Sequence, residues 1–274
     1  MHVLMKYPLN KVEILKGFKG DREQLTIQLL DSVPSTNDVA KQLLRESPDA
    51  ISLVATNRQT AGRGRRGKSF YSELKHGLYL TIGITANTDQ IENIPLYTIL
   101  AAATFAETIE KYVEKPVQIK WVNDLFYNGK KVSGILSEMV SGIESSTLPG
   151  IVIGIGLNIA GDFEETDKNV QNVAGTLFGL DTPPSFNQNE FLSTFLNQFT
   201  KQHLLFHEKG FMKSYESHLM GIGKEVYYTL NQQPRSGVIE GTNEMGHLLV
   251  RQMDGSLEVL YGQEVHFGSE QFVK

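Results

Sequence analysis

Apolar residues recur at two spacings along the chain, and the switches between them sketch a fold. Residues 25–30 (Leu-Thr-Ile-Gln-Leu-Leu) are a short β-favouring run. Ser35, Thr36, Asn37 and Asp38 then precede Val39, Leu43 and Leu44 at helical spacing, which reads as a capped helix start. Residues 51–56 look like a buried strand, and 78–84 alternate like one. Residues 94–113, rich in alanine and leucine at helical spacing, predict the longest helix of the first half, and Pro116 stops it. Strand-like runs follow at 117–121, 131–140 and 151–158, with Asn128-Gly129 marking a tight hairpin between the first two. The pattern predicts an α+β protein with a mixed sheet backed by helices.

Helical spacing returns over 186–208. After Gly221 the chain changes to short β runs, near 224–230, 236–242, 247–253 and 256–260, separated by Asn-Gln-Gln-Pro, Asn-Glu-Met-Gly and Asp-Gly-Ser turns. This divides the chain into a large domain over 1–220 and a small antiparallel barrel over 221–274.

Composition narrows the class. With 274 residues, 40% hydrophobic and 21% charged, the chain is long enough to bury a substantial core. No apolar run reaches the roughly 18 residues of a bilayer-spanning helix, and the first residues carry no signal-peptide pattern, so no membrane association and a cytoplasmic location are expected. The absence of cysteine excludes disulfides, thiolate metal sites and cysteine nucleophiles. A net charge of -5 argues against a general nucleic-acid-coating role.

One local basic patch stands out against that charge. Gly62-Arg63-Gly64-Arg65-Arg66-Gly67 satisfies G-x-G-x-x-G, but no helix follows to meet a pyrophosphate, and the Lys-Ser/Thr ending of a phosphate-binding P-loop is missing. What remains is a loop with unobstructed backbone amides and guanidinium groups able to fork onto carboxylate or phosphate. An exposed basic turn, or an arginine-glycine nucleic-acid tract, fits this segment alone equally well.

Two further constellations carry chemistry. Lys120-Trp121-Val122-Asn123-Asp124 and Lys130-Lys131-Val132-Ser133-Gly134 flank one hairpin. Asp124 and Asn123 could be turn formers and the lysines solvated edge charges. Alternatively, Lys131 neutralises a carboxylate and phosphate being joined, and Asp124 positions phosphates or their Mg²⁺. In 151–158, Gly154 and Gly156 occupy alternate positions on one strand face, which suggests close approach by a ligand, another backbone or a packed helix. Asn158 ends that strand with an amide able to read an adenine edge.

Taken in order, Ser35-Thr36-Asn37, Gln59-Thr60-Ala61-Gly62-Arg63-Gly64-Arg65, Lys120-Trp121-Val122-Asn123-Asp124, Lys131-Val132-Ser133-Gly134-Ile135-Leu136 and Gly154-Ile155-Gly156-Leu157-Asn158 resemble the catalytic domain of biotin-protein ligases. The resemblance spans nearly the whole chain. Val122 departs from it, since many members carry proline there. It implies a class II synthetase-like catalytic domain with a small C-terminal SH3-like β-barrel. It also implies an enzyme that activates biotin with ATP and Mg²⁺ as biotinyl-adenylate, then transfers biotin to a lysine of a biotin carboxyl carrier protein or domain of a biotin-dependent carboxylase.

The same resemblance assigns roles. Ser35, Thr36, Asn37, Gln59, Arg63, Gly64, Arg65, Lys131, Gly134, Gly154 and Gly156 would contact biotin. Arg65, Arg66, Phe70, Asn123, Asp124, Lys131 and Asn158 would contact ATP or the adenylate, with Phe70 packing against the adenylate and Asn158 reading adenine. Arg65, Lys131 and Asp124 would carry catalysis, Arg65 by holding the reactive intermediate under the loop. No metal ligands are assigned. A lipoate ligase or octanoyl transferase is the alternative, against which Gln59 and the arginine-rich loop weigh. Some members carry a winged-helix domain ahead of the ligase domain, but only about thirty residues precede Ser35, so specific DNA binding is not expected. A homodimer is compatible with the sequence.

Overall fold

A computed structural model describes residues 6–46, 51–86, 93–141, 149–262 and 265–267. Seven strands form one mixed sheet: β1 (Leu25–Leu30), β2 (Ile51–Thr56), β3 (His76–Thr85), β4 (Gln118–Lys120), β5 (Asp124–Tyr127), β6 (Lys130–Val140) and β7 (Gly150–Ala160), in spatial order β1-β2-β3-β7-β6-β5-β4. Only β1 and β2 pair in parallel.

Strand alternation divides this sheet into two faces with different work. On β7, Ile151, Ile153, Ile155, Leu157 and Ile159 point into the main core. There they meet α1 (Lys11–Gly17), α3 (Ile94–Ile109), α5 (Gln188–Leu204) and α6 (Gly210–His218), whose buried side chains belong to the same cluster. Helix α3 is apolar around its whole circumference, as a helix enclosed on all sides must be. Its Thr104 and Thr108 satisfy their hydroxyls by donating to the carbonyls of Leu100 and Thr104. The opposite face carries a smaller apolar cluster, in which Ala40 and Leu44 of α2 (Thr36–Glu46) cover Val54, Val140 and Val152. Because α2 covers only part of this face, the remainder is open.

The sequence expectation holds for most elements, with four corrections. The Asn128-Gly129 turn has positive φ at both positions (49° and 73°), as a type I′ hairpin needs, but it joins β5 to β6. The hairpin's first arm is therefore 124–127 and not 117–121, and Asp124 sits in a strand. Helix α1 was not anticipated in the opening segment, although Asn10 caps it by accepting from the amides of Val12 and Glu13. A short helix α4 (Lys168–Val173), capped by Asp167, was also missed. Helix α3 ends at Ile109, where the Glu110 carboxylate accepts from the Val117 amide and turns the chain.

The last strands, β8 (Glu225–Leu230), β9 (Gln233–Thr242), β10 (Leu248–Arg251), β11 (Leu257–Leu260) and β12 (Val265–Phe267), form a separate antiparallel sheet. It has one strand more than the four expected. Its order is β11-β10-β9-β8-β12, and among the described residues its two end strands do not pair. The sheet is tied to the larger one through the Trp121 indole, which donates to the Gly246 carbonyl at 3.0 Å, and the Lys120 ammonium, which donates to the Phe267 carbonyl at 2.9 Å. Among the described residues no helix is long and apolar enough to cross a membrane.

Phe105 of α3 is fully buried and meets Phe191 and Phe195 of α5 edge-on, with ring centroids 5.4 and 5.0 Å apart. Phe105→Ala should lower stability by about 3–5 kcal/mol, because close-packed surroundings relax only partly into the void left by a buried ring. Urea unfolding of the purified variant measures this.

Candidate active site

A cavity of about 450 Å³ opens on the sheet face that α2 leaves uncovered. Cross-strand pairing lays its floor in rows. Thr81, Gly154 and Leu136 stand side by side on β3, β7 and β6, and Tyr79, Gly156 and Gly134 form the next row. The glycines serve neighbouring side chains. A Cβ at Gly154 would collide with the Asn37 amide oxygen, and one at Gly156 would lie 2.5 Å from the Phe70 ring. Gly154 thus admits the first turn of α2, the helix packing that the sequence allowed there, and Gly156 admits the Phe70 ring of the 62–70 hairpin, while both still line the cavity.

One end of the cavity is neutral and hydrogen-bonding. The start of α2 lies over Gly154, and the segment after β2 runs beside it. Val33 and Pro34 accept from the amides of Thr60 and Ala61, which fixes Gln59 next to the helix. Gln59 Oε1 accepts from the Thr36 backbone amide at 2.8 Å and from the Thr36 hydroxyl at 3.0 Å. Thr81 Oγ1 lies 2.8 Å from Thr36 Oγ1 and donates to Asn37 Oδ1 at 2.6 Å. The Asn37 amide nitrogen donates in turn to Glu138 at 2.6 Å, and Lys41 also donates to Glu138 at 2.9 Å. Burial raises the Glu138 carboxyl, but the hydrogen bonds from Asn37 and Lys41 and the charges of Lys41 and Arg63 outweigh it and hold it below its ordinary value. Glu138 is thus a carboxylate at neutral pH.

The other end is cationic. Residues 62–70 form a small hairpin in which Phe70 donates to Gly62 and Gly64 to Lys68, with Arg66 (φ 59°) and Gly67 (φ 71°) turning its tip. The expected loop is therefore an ordered flap over the cavity. Arg65 donates to Asn123 Oδ1 at 3.0 Å and to the Gly262 carbonyl at 2.8 Å, and Arg66 reaches the same carbonyl at 3.1 Å. Burial lowers the Arg65 pKa, and the charge of Arg66 adds to that; the guanidinium nonetheless stays protonated at any physiological pH. Lys131 pairs with Asp124 at 2.7 Å and lies over the Phe70 ring at 5.9 Å. Among the described lining residues, Arg63, Arg65, Arg66, Lys68, Lys120 and Lys131 face a single carboxylate, Asp124. The charge sign of the whole chain is inverted here, which suits an anionic ligand.

The cavity brings together Ser35, Thr36, Asn37, Gln59, Arg63, Gly64, Arg65, Arg66, Phe70, Asn123, Asp124, Lys131, Gly134, Gly154 and Gly156. Asn158 is not among its lining residues. Its amide nitrogen donates to the Gly175 carbonyl at 3.0 Å, and its side chain is buried two residues beyond Gly156 on β7, with Oδ1 making no hydrogen bond to a described residue. Asn123 spends both ends of its amide on the protein, accepting from Arg65 and donating to the Ile135 carbonyl at 2.9 Å. Arg63 pairs bidentately with Asp38 at 2.6 and 2.7 Å, which raises its pKa and lowers that of Asp38. Trp121, Gly262 and Phe267 also line the cavity and were missed, because the last two come from the second sheet. No group of three or more His, Asp or Glu among the described residues could hold a metal.

Residues 29–158 match the family model described as the biotin/lipoate A/B protein ligase family. The match covers a little under half of the chain. The chain resembles the bifunctional ligase/repressor BirA of Bacillus spizizenii, with 26% identity over 97% of this chain and 82% of that protein. It also resembles the biotin–[acetyl-CoA-carboxylase] ligase of Mycobacterium tuberculosis, with 23% identity over 86% of this chain and 88% of that one. Among solved structures, the biotin protein ligase of Aquifex aeolicus in complex with biotin and ATP superposes with a TM-score of 0.69 at 26% identity. That match covers 89% of this chain and 99% of the other.

The two floor glycines should respond differently to a methyl group. Gly154→Ala must push Asn37 out of its hydrogen bonds to Thr81 and Glu138, leaving buried polar groups unpaired, at a cost of about 1–3 kcal/mol. Gly156→Ala displaces only the half-buried Phe70 ring and should cost less. Denaturant unfolding of both variants gives the order, and the reverse order would contradict the packing described.

Proposed function

We propose that this protein activates biotin with MgATP and transfers it to a lysine of a biotin carboxyl carrier domain. The observation that carries the reading is the change of chemistry along one cavity. Amide and hydroxyl groups at the Gln59 end suit a neutral cyclic urea, and the cations around Arg65 and Lys131 suit a carboxylate meeting a triphosphate. The Aquifex aeolicus relative of similar fold was solved with these two substrates.

The geometry supports the following division of the steps among groups on this chain. A biotin carboxylate is a weak nucleophile and is repelled by the phosphates, so Lys131 and Arg65 offset that repulsion while its oxygen attacks the α-phosphorus and pyrophosphate leaves. Asp124 keeps the Lys131 ammonium in place. Mg²⁺ would enter with the nucleotide, since Asp124 is the only anionic group among the described lining residues. In the second step a carrier lysine amine attacks the acyl carbon, AMP departs with the bonding electron pair, and the amine proton passes to solvent. Until then Arg65, held between Asn123 and Gly262, keeps the flap over the mixed anhydride and excludes water. In this reading residues 1–220 are the catalytic domain, and residues 221–274 form a small domain whose Gly262 carbonyl braces the flap.

Incubation with biotin, MgATP and a biotin carboxyl carrier domain should add a single biotinyl group, detected by intact-protein mass spectrometry. Transfer of lipoate or octanoate in place of biotin would give the alternative reading. Replacing Arg65 separates holding the intermediate from making it. Arg65→Gly should retain some adenylate synthesis through Lys131 but release the product, labelling a bystander such as serum albumin. Its affinity for biotinyl-adenylate should fall about tenfold or more, as charge-assisted hydrogen bonds of roughly 1.5–3 kcal/mol are lost. Equal dissociation rates for variant and parent would rule out a clamp.

A further inference from the structure

Asn37 and Gln59 both line the cavity, and each ends in an amide that could sit either way round. The structure fixes them in opposite senses. The Thr36 backbone N–H can only donate, so Gln59 must turn its oxygen towards it. The Gln59 amide nitrogen makes no hydrogen bond to another described residue and is the polar group this side chain offers the cavity. Glu138 can only accept, so Asn37 must turn its nitrogen towards it, which leaves Asn37 Oδ1 over the Cα of Gly154 on the cavity floor. Thr81 donates to that same oxygen, whose second lone pair remains for a ligand.

We propose that Glu138 is a positioning residue for ligand selectivity: it locks the Asn37 amide so that the floor presents an acceptor while Gln59 presents a donor. This rests on biotin being the acid that binds. A cyclic urea carries N–H donors beside a C=O acceptor and matches that pair. The hydrocarbon and dithiolane ends of octanoate and lipoate offer neither. A site built to hydrogen-bond a substrate group discriminates strongly against analogues lacking it, because the buried partner is then left unpaired.

Glu138 lies behind Asn37 and is not among the residues lining the cavity; of the lining residues it accepts from Asn37 at 2.6 Å and stands 3.7 Å from Arg63, so its effect passes chiefly through the amide. In Glu138→Gln, Lys41, which donates to Oε1 at 2.9 Å, holds the new side-chain oxygen there against the weaker pull of Arg63, 3.7 Å from Oε2, and this turns the Gln amide nitrogen towards Asn37. Asn37 must then reverse and put its own nitrogen over the floor, where it opposes a ureido N–H.

The test is isothermal titration of biotin and of two lactam analogues, in each of which CH₂ replaces one ureido NH, with steady-state kinetics alongside. Glu138→Gln should weaken biotin binding about tenfold or more and raise KM for biotin equally, with KM for ATP and kcat at saturation within about twofold of the parent. Asn37→Asp/Glu138→Gln has only oxygens at position 37 and should recover most of the affinity. The lactam lacking the proton that faces Asn37 should bind the parent as weakly as biotin binds Glu138→Gln, and should be indifferent to the substitution. Unchanged biotin affinity in Glu138→Gln, or a double variant no better than the single, overturns the proposal. If Glu138→Gln does not fold, the lactams on the parent decide: equal binding of biotin and both analogues overturns it. A folded parent that binds no biotin at all would instead overturn the reading of function on which the proposal rests.

Discussion

The period of two along β7 is the constraint from which the rest follows. Every second residue from Ile151 to Ile159 is a large aliphatic anchored in the helical layer, and Val152, Gly154 and Gly156 between them face the other way. The strand therefore builds the main core with one set of side chains and clears space for the site with the other. Its neighbours β3 and β6 repeat the division in register, so that Thr81 and Leu136 flank Gly154 and Tyr79 and Gly134 flank Gly156. The floor is as rigid as the core beneath it, and the groups that meet a ligand are set on strands, with the flap supplying the remainder.

Charge is distributed by the same economy. The chain is acidic overall, yet Arg63, Arg65, Arg66, Lys68, Lys120 and Lys131 are gathered around one cavity. Each of the central cations has a partner that orients it: Asp38 for Arg63, Asn123 and Gly262 for Arg65, Asp124 for Lys131. Such preorganisation matters more than the number of charges, since groups already aimed at their target need no reordering when a ligand arrives.

Much of this was legible in the sequence because its signals are local. Apolar spacing located the long helices and most strands, and Asn128-Gly129 announced its turn. The ordered motifs from Ser35 to Gly156 do converge on one cavity. Short elements escaped: α1 depends on a single Asn10 cap, and β5 has four residues between polar neighbours, too few to show a period. Asn158 was read as an adenine contact from its place at a strand end; it lies outside the cavity lining, with its amide nitrogen held by the Gly175 carbonyl. Glu138 and Thr81 went unnoticed, although a lone polar residue at an inward position of an apolar strand was a signal available to find them. Gly262 and Phe267 had none, since long-range contacts between two sheets leave no mark in either segment.

The bond between Arg65 and Gly262 joins positions 197 residues apart. A ribosome adding roughly 5–20 residues per second needs about 10–40 s to cover that distance. Every strand of the cavity floor, and the helices α5 and α6 that back it, are synthesised before the carbonyl that braces the flap. The order of synthesis puts the brace last, so full closure of the site waits until the second sheet has emerged.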